Sequence, residues 1–220
     1  MTSSPVVAAT GPGQVWMADI TDIKGPFVRV AYKAYSIQDL YSRNIIAFCV
    51  ATAADEDIAA GLFADAFDTS GGPRIIHSDN GATMRSDKLA ALCSAMGVTL
   101  SFNRPNVSKD NPFKESEFRT MRHRPSFPGH FTGIEDARDW ITDYVDWFNT
   151  DHHHSGRALF TPQSLHDGSW EHTHATRARA LTSYYEQHPE RFDRQPETAR
   201  PSTRVGINLH HELEHQLKVA

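Results

Sequence analysis

Three carboxylates occupy places where an acidic side chain is awkward for a fold. Asp19 interrupts the apolar run VWMADIT at 15–21, Asp79 directly follows the apolar RIIHS, and Glu115 stands near the start of a helical stretch after a polar loop. A carboxylate carried into a sheet is costly unless it is paired or binds a metal ion. At the edge of a sheet, two or three such groups can share divalent cations, and an all-oxygen ligand set suits Mg²⁺. Two metal ions held close together activate a hydroxyl and stabilise the leaving oxygen of a phosphoryl transfer. A plainer explanation stands beside this one. The chain has 27 Asp and Glu residues, so some fall at strand ends by chance. Asp is also a common residue in caps and turns.

Elements able to position these residues follow from the hydrophobic pattern. Strands are expected over 15–21, 27–39 and 44–52, joined by short turns such as Gly25-Pro26. Helical spacing then sets in at Ile58, Leu62, Phe63, Ala66 and Phe67, with Asp55 as a cap and Gly71-Gly72-Pro73 as a stop. A strand at 74–79, a helix at 86–97 capped by Ser86, and a strand at 98–102 follow. The order of three strands, helix, strand, helix, strand makes an α/β protein with a mixed sheet. A helix is expected over 113–124, and the clearest one covers 133–151, with Trp140, Ile141, Tyr144 and Phe148 in its apolar stripe. Residues 1–14 look like a loose arm, 175–188 like a helix, and 189–220 like an extended or partly disordered tail.

Bulk composition narrows the function classes. A hydrophobic fraction of 39%, including 12 Phe and 4 Trp, supports a real core. A net charge of −5 argues against a broad nonspecific nucleic-acid surface, while leaving room for local basic patches. Cys49 and Cys93 both lie in apolar runs and are expected to be buried free thiols. With no signal peptide or membrane span in the sequence, an intracellular, reducing compartment is expected.

Taken together, the motifs resemble the catalytic domain of OrfB-type insertion-sequence transposases, within the retroviral integrase superfamily. QVWMADIT matches the segment of the first aspartate, DLYSRNIIAF the strand turn after it, and HSDNG the second aspartate. SFNRPNVSKDNPFKESEFRTMRHRP is similar to the glutamate region, and YVDWFNTDHHHSG with FTPQSLHDG to the terminal signature. HPERF resembles a familiar tail, so the likeness spans roughly residues 13–195. The resemblance implies a ribonuclease H-like fold, a five-stranded mixed sheet flanked by helices. It implies a flexible N-terminal arm at 1–13, a catalytic core at 14–151, and a C-terminal extension at 152–220, partly helical and then irregular.

The same resemblance makes Asp19, Asp79 and Glu115 the catalytic, metal-binding triad. Thirty-five residues separate Asp79 from Glu115, which is the family's spacing. Glu117 is the rival for third place; Asn111, Pro112, Glu115 and Ser116 fit the family's Asn-Pro-x-x-Glu-Ser segment and favour Glu115. The implied cofactor is Mg²⁺, with Mn²⁺ as substitute. The implied reaction is DNA cleavage followed by strand transfer; a nuclease that does not join strands, or an inactive transposase-derived DNA-binding protein, is the alternative. The implied partners are element-end and target DNA, a second copy of the chain on DNA, and a helix-turn-helix protein supplied separately or by frameshifting. The implied location is the bacterial cytoplasm, at the nucleoid when DNA is bound.

Further residues carry narrower expectations. Arg104, Lys109, Lys114, Arg119, Arg122 and Arg124, with His123, would give the glutamate region a positive field for phosphate contact. A merely solvated basic face fits the same residues. His77 either lies near the metals or packs as a hydrogen-bonded core histidine. Asn80 and Gly81 are expected to shape the turn, with Gly81 free to take a positive φ. Asp39 is expected to act structurally or from behind the site. The run His152, His153 and His154 does not have the spacing of a zinc site, and His153 stands where the family has arginine. Trp140, Tyr144, Trp147 and Phe148 are expected to pack rather than stack on bases.

Overall fold

A computed structural model describes residues 6–104 and 111–209. Strand β1 (Val7–Ala9) precedes the central hairpin strands β2 (Val15–Lys24) and β3 (Ala31–Asp39), then β4 (Ile45–Ala51). Helix α1 (Glu56–Ser70), β5 (Ile75–Ser78), α2 (Asp87–Ala95) and β6 (Thr99–Phe102) complete the sheet region. Helices α3 (Pro112–His123), α4 (Ile134–Thr150), α5 (Pro162–Asp167) and α6 (Trp170–Gln187) follow, and β7 (Val205–Ile207) comes last. The main sheet has five strands in the order β4-β3-β2-β5-β6. Its first three strands are antiparallel, and β5 and β6 run parallel to β2.

Strand β2 therefore lies at the middle of the sheet, and its two faces enter different cores. Trp16 and Ala18 pack with Phe63, Phe67, Leu89 and Cys93, beneath α1 and α2. Ile23 packs on the other face with Phe118, Met121, Ile141, Tyr144 and Phe148 of α3 and α4. The two-residue alternation of a strand divides β2 between these layers. Helix α1 starts where Asp55 accepts hydrogen bonds from the backbone N–H groups of Asp57 and Ile58, at 2.7 and 3.1 Å. It ends at Gly71, whose φ of 73° few other residues adopt cheaply. In α4, Trp140 and Tyr144 stack with centroids 5.5 Å apart, and Tyr144 sits 5.7 Å from Phe148. These aromatics are core, as their spacing predicts.

Several expectations change. Strand β2 extends to Lys24, and β3 begins only at Ala31. Phe27 and Val28 lie in the intervening turn, 75% and 93% exposed, despite their strand propensity. Cys93 is buried but Cys49 only half-buried. The N-terminal arm is not loose at residues 7–9, which pair antiparallel with 205–207. That ribbon packs on Val15, Met17 and Leu40. Three-residue strands carry no readable period, and their pairing spans nearly the whole chain. Among the described residues, no helix is long and apolar enough to cross a membrane.

Ile207 is 2% exposed within this ribbon cluster. Ile207→Ala should therefore cost about 2–5 kcal/mol. Urea denaturation of the full chain checks this, and an unshifted midpoint would show that the terminal strand does not belong to the core.

Candidate active site on the central strand

The register of the sheet brings two of the expected acids side by side. Strands β2 and β5 are in register from Val15 with Ile75 to Ala18 with Ser78. One step further along both strands lie Asp19 and Asp79, on neighbouring backbones about 4.8 Å apart. On the other side of β2, Asp19 pairs with Ser36 of β3, so carboxyl and hydroxyl share one face. Burial pushes the Asp19 carboxyl up from 3.8 to about 6. The Lys114 charge opposes that rise, and the Asp79 and Glu117 charges add to it.

The turn after β5 is fixed by its own polar groups. Asp79 Oδ1 accepts a hydrogen bond from the Gly81 N–H at 3.0 Å. Gly81 does not have a positive φ. Its role is spatial: a Cβ there would lie 3.1 Å from Asp79 Oδ1. Asn80 donates to the Asn103 carbonyl at 2.6 Å and accepts from Arg85 at 2.9 Å, tying the turn to the end of β6. His77 is fully buried, with Nδ1 3.0 Å from Ser101 Oγ. It is packed and hydrogen-bonded rather than open to ligands. Asp39 is also buried and accepts from the Gly13 N–H, the Ser42 N–H and the Ser42 hydroxyl, a structural role.

Helix α3 lies along β2 past Asp19. Near its start Asn111 Nδ2 reaches the Ala18 carbonyl at 3.5 Å, and about three turns later Arg122 donates to Thr21 Oγ1. Between them, Lys114 Nζ lies 2.5 Å from Glu117 Oε2, with both side chains at most 1% exposed. Glu117 Oε1 accepts from Ser36 Oγ at 2.6 Å, and Tyr144 Oη donates to the Glu117 carbonyl at 3.2 Å. The two glutamates thus have different fates. Glu117 is committed to a buried ion pair and a strand hydroxyl. Glu115 is exposed, two residues and about 200° around the helix from Glu117. It shares a flank with Arg122, seven residues on.

The structure thus brings together Asp19, Asp79, Lys114 and Glu117, and leaves Glu115 outside that cluster. Among the described residues, no three His, Cys, Asp or Glu side chains are grouped to hold a metal ion. Asp19 and Asp79 nevertheless fit a hard dication as a pair. They are adjacent oxygen donors of like charge, one of them strongly desolvated.

The expected basic patch divides. Lys114 does not belong to it, being wholly buried against Glu117 and 4.8 Å above the Phe118 ring. Arg119 and Arg122 are exposed. Arg124 stacks on Trp147 at 4.2 Å, and with Arg119 and His123 it lines an open depression. Arg104 is half-buried beyond β6, and Lys109 lies outside the described residues. Residues missed in the sequence are Ser36 and the structural role of Lys114. The spacing Lys114-x-x-Glu117 on one helix face was the available signal.

Stability should report the strain on Asp19. Its folded pKa is raised, so its penalty is absent below about pH 4, grows as pH rises to about 6, and is complete above that. Metal-free Asp19→Asn should therefore match wild type near pH 4 and exceed its stability by about 1–3 kcal/mol near pH 7.5. Saturating Mg²⁺ should stabilise wild type and leave the variant unmoved. Denaturation curves at both pH values, with chelator and with Mg²⁺, check this; parallel pH profiles would refute it.

Comparison with known proteins bears on the family and the fold. Family profiles described as "Integrase core domain" match residues 9–108 and 96–162. The transposase for insertion sequence element IS904 of Lactococcus lactis is 26% identical over 73% of this chain and 64% of its own length. The putative transposase InsK for IS150 of Escherichia coli is 23% identical over 64% of this chain and 50% of its own length. The chain thus spans between half and two thirds of these relatives. Among solved structures, the catalytic core domain of BIV integrase covers 73% of this chain and 97% of its own, with TM-score 0.56 and 17% identity. The HTLV-2 integrase catalytic core domain in complex with magnesium covers 71% and 97%, with TM-score 0.51 and 16% identity. At such identities the likeness is one of fold, ribonuclease H-like.

Proposed function

This chain belongs to the integrase core domain family, and from that premise we propose that it is the catalytic part of a transposase that cuts DNA and transfers the cut strand. The observation that carries this reading is the placement of Asp19 beside Asp79 on the two central parallel strands. These two acids and Glu115 are the proposed catalytic triad. Glu117 is unavailable because its carboxylate already holds Lys114 and Ser36. Glu115 lies on the accessible flank of the same helix, its carboxylate uncommitted to the buried ion pair, and the family-like Asn-Pro-x-x-Glu-Ser segment supports its choice.

The chain's own groups have separable roles. Asp19, at the sheet centre, is the shared anchor, and Asp79 is held in place by the Gly81 N–H. Magnesium, or manganese in its place, bound at these carboxylates would activate the attacking hydroxyl and neutralise the leaving oxygen. In the first step water or a DNA hydroxyl attacks phosphorus, and the bond to the 3′ oxygen breaks. In the second, the freed 3′-hydroxyl attacks a target phosphodiester. In the joining step one phosphodiester forms as the target's breaks and the target's 3′ oxygen leaves, so that step requires neither an external energy source nor a covalent enzyme–DNA intermediate. Arg119, Arg122 and Arg124, with Arg104 and Lys109, would steady the backbone phosphates. Self-association on DNA and a separate end-reading helix-turn-helix module complete the proposed assembly.

The test is metal-dependent nicking and joining of duplexes carrying candidate element ends, with the end-reading protein added. Asp79→Asn and Glu115→Gln should each lose at least about 100-fold in cleavage with an unchanged melting temperature. Glu117→Gln should instead destabilise the fold. Full cleavage by Glu115→Gln would remove it from the triad. Nicked products without joined ones would make the protein a nuclease.

A further inference from the structure

A second cluster of charge lies away from the catalytic carboxylates, and among the described residues Asp39 is the only carboxylate that offsets it, without an ion pair to either arginine. Arg43 follows β3 in the turn to β4, and Arg157 closes the short helical turn at Ser155–Arg157. They are 4% and 1% exposed. Arg157 lies close enough to act on Arg43: burial and the Arg157 charge hold Arg43 down at about 9, against the opposing charge of Asp39. Neither guanidinium forms an ion pair among the described residues. The acid nearest in charge is Asp39, but its two oxygens are taken by the Gly13 N–H and by Ser42.

The hydrogen-bond count points the same way. Arg43 Nε and Nη1, Arg157 Nε and Nη2, and His154 Nδ1 are buried with no acceptor or donor opposite them. One guanidinium face is covered by Phe113 at 3.4 Å and the other by Tyr41 at 4.6 Å. Arg157 Nη1 donates to the Ser202 carbonyl at 3.0 Å, and the Tyr41 hydroxyl also supports the Arg157 charge. Local backbone is strained around the same point, with positive φ at Arg43 (72°), Ala158 (54°) and Leu159 (58°). Buried cations are retained where they are paired, and leaving several charged donors unmet costs several kcal/mol. Tyr41 and His154 are only half-buried, so the cluster lies just below the surface at their side chains.

We propose that Arg43, Arg157 and His154 form a binding site for a phosphate-type oxyanion. A tetrahedral oxyanion offers enough oxygens to meet both forks of donors and supplies the missing negative charge. The anion is either free phosphate or a backbone phosphate of bound nucleic acid. The site stands independently of the catalytic reading, since it is built from different residues.

Calorimetric titration of the full-length, metal-free protein with inorganic phosphate, at constant ionic strength set with chloride, tests this directly. One saturable site is expected. No binding up to millimolar phosphate, with none of a short duplex either, overturns the proposal. In melting experiments phosphate should raise the wild-type midpoint by about 2–4 °C more than that of Arg157→Leu, which carries any general salt effect. Arg157→Leu should melt at or above wild type in chloride, because it loses an unpaired buried charge. Equal phosphate gains in both proteins overturn the assignment. Arg43→Met replaces Arg157→Leu if the latter does not fold. A short duplex that competes with phosphate assigns the site to the DNA backbone; one that does not assigns it to the free anion.

Discussion

The ion pair between Lys114 and Glu117 is the contact on which the rest of the site depends. It is wholly buried, so each partner needs the other: an unpaired charge in that position costs several kcal/mol. Its second oxygen binds Ser36, and Ser36 lies directly across from Asp19. The pair therefore fixes the rotation of α3 against the two central strands. That rotation puts Glu115 on the open flank and aims Arg122 at Thr21, on the same face of β2 as Asp19. Tyr144 adds a hydrogen bond from α4, coupling the aromatic core to the same turn of helix.

Charge balance around Asp19 follows from this. Two aspartates occupy neighbouring positions, and the nearest compensating cation is already shared with Glu117. Burial and like charge leave Asp19 reluctant to ionise, which is the condition a dication relieves. Exposed arginines collect on the outer flank of α3, so an acidic protein still presents positive charge beside its carboxylates. The two buried basic clusters differ in one respect. Lys114 has an anion in contact, whereas among the described residues Arg43 and Arg157 form no ion pair.

The sequence by itself determined the alternating strands and helices, the caps at Asp55 and Ser86, the aromatic stripe of α4, and the two aspartates. Those features are local: a period, a cap or a carboxylate at the end of an apolar run is written within a few residues. The likeness of its motifs to a known family added the proposal of Glu115 as a third acid and of the reaction. Tertiary structure alone decided that Asp19 and Asp79 are neighbours, because strand register is set between segments far apart in the chain. It decided that Lys114 faces inward, since helix periodicity gives a face but not which partner that face meets. It also paired residues 7–9 with 205–207 and gathered Arg43, Arg157 and His154 beneath one surface. Pairings of such long range leave no mark in local pattern, because what stabilises them is a surface that exists only after the chain has folded.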